Sequence, residues 1–305
     1  MVQYTLRQLE YFVAVAEAGS VTKAAQAIHL SQSALSTALV ELERSLDVQL
    51  FLRHHARGVT LTPAGEQMLT ASRRLLHQAA ELADDARGLG DEVTGTLHLG
   101  CYGAVAPYVL PALLAEASVR LPSLEINSGE VDLAQLADGV AGGRFELGIG
   151  YDLTVDARLD KQSLYTLRPY VLLPAGHRLA RRKKVKLAEL AEEPMAVLDL
   201  PQSREYFANL FESLGLDPSV RFRSSSTETV RAIVAEGLAY TVLNNKPRKG
   251  RGAGNPQVVA VDIADDVPLL DVILIQASGI RPTRRMRAVQ QLVLELVSKG
   301  SIGSM

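Results

Sequence analysis

Gln32, Ser33, Ser36 and Thr37 recur at helical spacing on one side of a short segment, and their chemistry is that of hydrogen bonding to a flat polar surface. A glutamine amide can pair bidentately with an adenine edge, hydroxyls reach base edges or phosphates, and none of the four is bulky enough to keep a helix out of a major groove. The other side of the segment carries Leu35, Leu39, Leu42 and Leu46, which anchor it to a core. Catalytic chemistry is sparse by comparison. The six histidines are scattered, and neither a His-Glu-x-x-His nor a Gly-x-Ser-x-Gly motif is present, so an enzyme is not the expected reading and no cofactor is implied. His54 and His55 are adjacent in an extended run, which points them to opposite faces and argues against a metal site.

The elements that position the polar ridge are legible around it. Ser31 is a favoured N-cap for the ridge helix, and Ser20 for a preceding helix whose inward residues are Val21, Ala24, Ala25 and Ile28. A three-residue break separates them, and the small residues of the first permit steep, close packing, the geometry of a helix-turn-helix. The alternative is a generic helical hairpin with a solvated polar face. Thr5-Leu6-Arg7-Gln8 reads as a capping box opening a first helix with Leu6, Leu9, Phe12, Val13 and Ala16 inward and Gly19 at its end. Leu50–Arg53 and Val59–Leu61 form a hairpin wing, in which Arg53, Arg57 and His54 can touch phosphate or minor groove. Thr62-Pro63 starts a long helix on which Met68, Ser72, Leu75, Ala79, Leu82, Ala86 and Leu89 repeat as heptads, favouring a self-paired helix over one lying on its own domain. Gly88, Gly90 and Gly95 mark a hinge.

Composition sets limits on these readings. The chain has 305 residues, long for one domain, with 47% hydrophobic and 22% charged residues. No apolar run approaches the roughly 20 residues that span a bilayer, and no export leader is evident, so no membrane partner and a cytoplasmic location are expected. A single cysteine, Cys101, excludes an internal disulfide framework. The net charge of −2 is unusual for a nucleic-acid binder. Residues 1–62 are themselves neutral, with Arg7, Lys23, Arg44, Arg53 and Arg57 set against Glu10, Glu17, Glu41, Glu43 and Asp47. Phosphate affinity must come from local placement, helix N-termini and several copies acting together.

Beyond Thr96 apolar strands and helices alternate, which predicts an α/β domain with largely parallel sheets. Strands are expected at 96–101, 124–128 and 145–151 with helices at 107–121 and 131–141, giving a first lobe. A second run has strands near 170–173, 195–200, 220–223 and 239–243 and helices near 203–214 and 227–237. A strand at 272–276 returns to the first lobe, 284–297 is a closing helix, and the final Gly-Ser-Ile-Gly-Ser-Met reads as a frayed tail. Two basic runs, Arg178 to Lys186 and Lys246 to Arg251, read as solvated surface.

The order of these parts resembles the LysR-type transcriptional regulators. The resemblance is carried by Leu6-Arg7-Gln8-Leu9, Tyr11-Phe12-Val13-Ala14-Val15-Ala16-Glu17, Gly19-Ser20, Ala24-Ala25, Leu30-Ser31-Gln32-Ser33-Ala34-Leu35-Ser36, Leu42-Glu43, Leu50-Phe51-Leu52-Arg53 and Leu61-Thr62-Pro63-Ala64-Gly65. It implies a winged helix-turn-helix over residues 1–62, a linker and dimerisation helix over 63–90, and a two-lobed, periplasmic-binding-protein-like α/β effector domain over 91–305, with lobe I near 95–165 and 270–305 and lobe II near 166–269. It further implies a tetramer on double-stranded operator DNA, half-sites about 34 Å apart, and RNA polymerase as a partner. The family's DNA contacts fall on Gln32, Ser33, Ser36, Thr37, Arg53 and Arg57. Many relatives carry proline at Ser33 and arginine at Thr37, which leaves the operator open. The family's effector contacts fall on Tyr102, Gly103, Ala104, Gln202, Ser203, Arg204, Ser225, Ser226 and Thr227, where helix N-termini, hydroxyls and an arginine suit an anionic small molecule. Ala104 stands where many relatives place a hydroxyl. Two alternatives share the DNA-binding head: sensing by oxidation of Cys101, and ligand-independent DNA bridging.

Overall fold

The computed structural model describes residues 4–54, 58–87, 92–153, 156–246 and 257–303. It begins with three helices, α1 (Leu6–Ala18), α2 (Val21–Ala27) and α3 (Gln32–Leu46). Each start is capped by the hydroxyl the sequence offers: Gln8 N donates to Thr5 Oγ1 at 3.2 Å, Lys23 N to Ser20 Oγ at 3.4 Å and Ala34 N to Ser31 Oγ at 3.1 Å. Leu35, Leu39 and Leu42 are at most 3% exposed, and at about 1.5–3 kcal/mol each their burial fixes which side of α3 faces water. In α1 the buried residues are Leu9, Phe12 and Val15. Leu6, expected inside, is 45% exposed because the first turn projects past the edge of the small core. His29, with φ 56°, makes the left-handed turn between α2 and α3.

The wing is an antiparallel pair, β1 (Phe51–His54) and β2 (Gly58–Leu61), in which Phe51 faces Leu61 and His54 faces Gly58. It is fastened to the end of α1. Val59 N donates to Gly19 O at 2.9 Å, and Gly58 (φ +86°) lies so close that a Cβ there would sit 2.3 Å from the same carbonyl oxygen. The long helix α4 (Pro63–Arg87) follows, with Gly65 N donating to Thr62 Oγ1 at 3.0 Å. The heptad positions divide. Met68 and Ser72 face their own chain, whereas Leu75 is 38% and Leu82 72% exposed, so the unpartnered stripe is confined to the far part of the helix. The side chain of Ala86 and the whole of Leu89 lie outside the described residues, as do Gly88 and Gly90.

The remainder folds as two lobes. The first has β3 (Gly95–Tyr102), α5 (Ala106–Arg120), β4 (Leu124–Val131), α6 (Leu133–Ala141), β5 (Leu147–Tyr151) and β6 (Leu159–Leu167). The second has β7 (Tyr170–Pro174), β8 (Lys184–Val185), a 3-10 turn at Leu187–Glu189, β9 (Met195–Leu198), α7 (Pro201–Glu212), β10 (Val220–Ser224), α8 (Thr227–Ala235), β11 (Thr241–Leu243) and β12 (Val258–Ile263). The chain then returns through β13 (Leu270–Ala277) to the first lobe and ends with α9 (Arg284–Ser298). The first sheet has the order β4-β3-β5-β13-β6; the second lobe holds β11-β7-β12-β8 and the pair β10-β9.

Three expectations change. The sheets are mixed rather than largely parallel: β3 runs parallel to β4 and β5, but β13 is antiparallel to both β5 and β6. Strands β6, β8 and β12 have no counterpart in the sequence reading. For β6 the reason is its place at the sheet edge, where Asp160, Lys161, Gln162 and Ser163 are exposed and the run does not look like a strand interior. The tail is docked rather than frayed as far as it is described: Ser301 and Ile302 both donate their N–H to Leu296 O, Ile302 is buried, and Gly303 packs on the Tyr165 ring.

Candidate nucleic-acid interface and inter-lobe cleft

On the head, Gln32, Ser33 and Thr37 are exposed along α3, and Ser36 is half-buried behind them. The Ser33 and Ser31 hydroxyls are 3.1 Å apart, so Ser33 is tied to the cap, while Gln32 and Thr37 make no side-chain hydrogen bond among the described residues. Arg53 is exposed on β1 beside His54, whose Nε2 lies 2.8 Å from Thr60 Oγ1 across the wing. Arg57 and His55 lie outside the described residues. The neutral charge of the head looks different once its carboxylates are placed. Glu43 accepts Leu50 N at 2.7 Å and Phe51 N at 3.1 Å, closing the start of the wing, and Glu17 accepts Arg73 Nη2 from the linker helix at 2.9 Å. Two of the five acidic side chains thus already have donors within the chain, leaving the polar ridge and the N-terminal dipole of α3 with less opposing charge than the sum implies.

Between the lobes lies a cleft of about 320 Å³. Ala104, Ser203 and Thr227 line it, as the sequence places them. Tyr102 reaches it indirectly: its hydroxyl and that of Ser203 are 2.8 Å apart, a direct tie from lobe I to lobe II. Burial pushes the Tyr102 phenol pKa up, so the group stays neutral. Gly103 is not among the residues lining the cleft; its N–H is donated to Val131 O at 3.1 Å. The other expected residues are not gathered there. Arg204 is exposed and paired with Asp199, Ser225 is exposed, and the Ser226 hydroxyl caps α8 by accepting Thr229 N at 3.3 Å. The Gln202 side chain lies outside the described residues.

The cleft also contains residues that sequence reasoning missed, chiefly Arg231, Asn245, Tyr108 and Tyr151. Arg231 Nη2 lies 3.1 Å from Tyr108 Oη, 3.2 Å from Tyr170 Oη and 3.1 Å from Asn245 O, while its Nε is buried with no hydrogen-bond partner. Asn245 Nδ2 donates to Tyr151 Oη at 2.6 Å and to Ala104 O at 3.2 Å, a second tie between lobes. Burial raises the Tyr170 pKa to about 12 and pushes Tyr151 up as well, so Arg231 is the cation in a wall of neutral phenols. One signal was available: Arg231 is one helical turn beyond Thr227 and shares its face. Cys101, by contrast, is fully buried in β3 and its thiol pKa is raised by burial and by Glu130, which disfavours the thiolate that oxidation requires. Among the described residues no cluster of three or more His, Cys, Asp or Glu is placed to hold a metal, and no helix is long and apolar enough to cross a membrane.

A winged helix-turn-helix joined by a long helix to a two-lobed domain with a polar cleft defines a DNA-binding regulator carrying an effector-binding domain. Residues 6–66 match the model of the bacterial regulatory helix-turn-helix protein, lysR family, and residues 90–298 that of the LysR substrate binding domain; the chain belongs to the LysR family of transcriptional regulators. It is similar to the DNA-binding transcriptional dual regulator OxyR of Escherichia coli K12, with 30% identity over 239 residues covering 78% of each chain. The crystal structure of HinK, a LysR family transcriptional regulator from Pseudomonas aeruginosa, is 36% identical, with 97% of this chain and 99% of that one covered and a TM-score of 0.64. Full-length OxyR C199D from Pseudomonas aeruginosa shares the fold at TM-score 0.75 and 24% identity, covering 96% and 97%.

Proposed function

We propose that the chain is a transcription factor, without enzymatic activity, that reads operator half-sites through Gln32, Ser33, Ser36 and Thr37 with Arg53 and Arg57 on the backbone, and that a small anion held in the inter-lobe cleft sets how the lobes close. It works in the cytoplasm as a dimer through the exposed far part of α4, assembled further to a tetramer, with RNA polymerase as its downstream partner. The observation that carries the effector reading is Arg231, a cation with a buried, unpartnered Nε in a cavity whose other polar groups are neutral. An acceptor delivered there satisfies a donor whose isolation otherwise costs about 1–3 kcal/mol. An anion that touches Arg231 and Thr227 from lobe II and Ala104 from lobe I favours the closed arrangement, because only that arrangement offers all three.

The test is a thermal-shift series of the full-length protein with small mono- and dicarboxylates and with alcohols and amines of the same size. At least one is expected to raise the melting midpoint of the wild type and leave Arg231→Ala unmoved; a response confined to neutral or cationic compounds refutes the anion. On the DNA side, Gln32→Ala is expected to weaken operator binding by about 1–3 kcal/mol and spare random duplex. Equal losses on both in a gel-shift titration would rule out base reading by this residue. Oxidation sensing through Cys101 is the weaker reading despite the peroxide-responsive relatives, since the thiol is shielded.

A further inference from the structure

The linker helix crosses lobe I where α6 ends. Gly143 (φ +71°) makes the approach possible, since a Cβ there would meet the Arg73 Cβ at 3.2 Å. Arg73 Nη1 donates to Gly142 O at 3.3 Å and Arg74 Nη2 to Ala141 O at 3.1 Å, so two guanidinium groups hold the last carbonyls of α6, the negative end of its dipole. Beside this contact is a second cavity of about 460 Å³, bounded by α4, the turn after α6 and the segment between β13 and α9. Val140, Phe145, Ile280 and Met286 make its apolar surface. Arg74, His77 and Arg281 bring basic groups to it.

The cavity has one carboxylate, and that one is already engaged. Glu146 Oε1 accepts Arg285 Nε at 2.9 Å with both side chains almost fully buried, and Oε2 accepts His98 N at 3.2 Å. Arg74 Nε, in contrast, is buried and has no hydrogen-bond partner. The site therefore combines an apolar body, a net positive wall and an unsatisfied buried donor. It is distinct from the inter-lobe cleft: the two share no lining residue, the cleft meeting Ala104 just beyond the C-terminal end of β3, and this cavity meeting Glu146, which accepts His98 N from the strand's other half.

We propose that this junction is a second small-molecule site, independent of the cleft, that takes a monoanion with an apolar tail, its carboxylate toward Arg74 and Arg281 and its tail against Phe145 and Met286. A ligand there touches the linker helix and lobe I together, so its occupancy strengthens the attachment of one to the other.

The probe is hexanoate, with hexanol and hexylammonium as charge controls, added to the full-length protein and read by calorimetry and by amide exchange in α4. Hexanoate is expected to bind and to slow exchange around Arg74 and His77 in the wild type and equally in Arg231→Ala. Ile280→Trp, which fills the cavity from a half-buried position, and Arg281→Glu, which reverses an exposed charge at its rim, are each expected to weaken binding by about tenfold or more. Binding that survives both variants and disappears in Arg231→Ala assigns hexanoate to the cleft and overturns the proposal. Absence of binding at millimolar concentration overturns it as well, and equal binding of hexanol or hexylammonium overturns the anion.

Discussion

His77 shows how one side chain acquires a pH dependence from its position. It projects from α4 onto lobe I, its ring stacked 6.1 Å from that of His98, and burial holds its pKa below the ordinary 6.5. Glu146 opposes that shift, while Arg285, His98 and Arg73 add to it, so the neutral imidazole is the form that fits. The unfolded chain then binds a proton that the folded chain refuses, and stability is lost as pH falls through 6.5. Thermal melts between about pH 8 and about pH 5.5 are expected to show a steeper decline for the wild type than for His77→Gln. Parallel declines would place the titration elsewhere. None of this was legible in the sequence, where His77 is one of six scattered histidines on a heptad helix. Gln32 and Thr37 were legible because a helix period and a cap fix their direction; Arg231 was not, because its surroundings come from α5, β7 and the loop after β11.

At the level of elements, the amphipathic and capped helices follow directly from their residues, and errors concentrate where a strand lies at an edge or a helix has two neighbours. The heptad of α4 is the clearest case. A single stripe was read as one surface, but its first part packs into the head, and among its described residues Leu75 and Leu82 remain exposed. The same helix also rests on lobe I, through a turn in which a Cβ at position 143 would lie 3.2 Å from the Arg73 Cβ. Gly143→Ala forces a left-handed backbone on alanine and presses its methyl on Arg73, so it is expected to cost about 1–2 kcal/mol in urea unfolding. It is also expected to speed amide exchange in α4 beside Arg73 without changing exchange in the wing. A variant as stable as the wild type, with α4 equally protected, would mean that the contact does not anchor the linker.

Across the whole molecule, one line of contacts runs from the cleft to the reading head. Tyr102 faces Ser203 across the cleft; Leu133 and Leu136 of α6 pack beside β3 and β5; the end of α6 is held by Arg73; and Arg73 is paired with Glu17 on α1. The line is a continuous path of packed and hydrogen-bonded groups from the cleft, through α6, to the linker helix and the head. Its ends lie far apart in sequence, which is why local patterning does not reveal the connection between them. The position of β13 has a different consequence, for the order in which the protein is made. Because that strand is inserted between β5 and β6, the first lobe lacks its central seam until the second has been translated. On the ribosome the winged head has all its parts early, whereas lobe I must wait, with an open sheet edge exposed, for residues 270–277 to emerge.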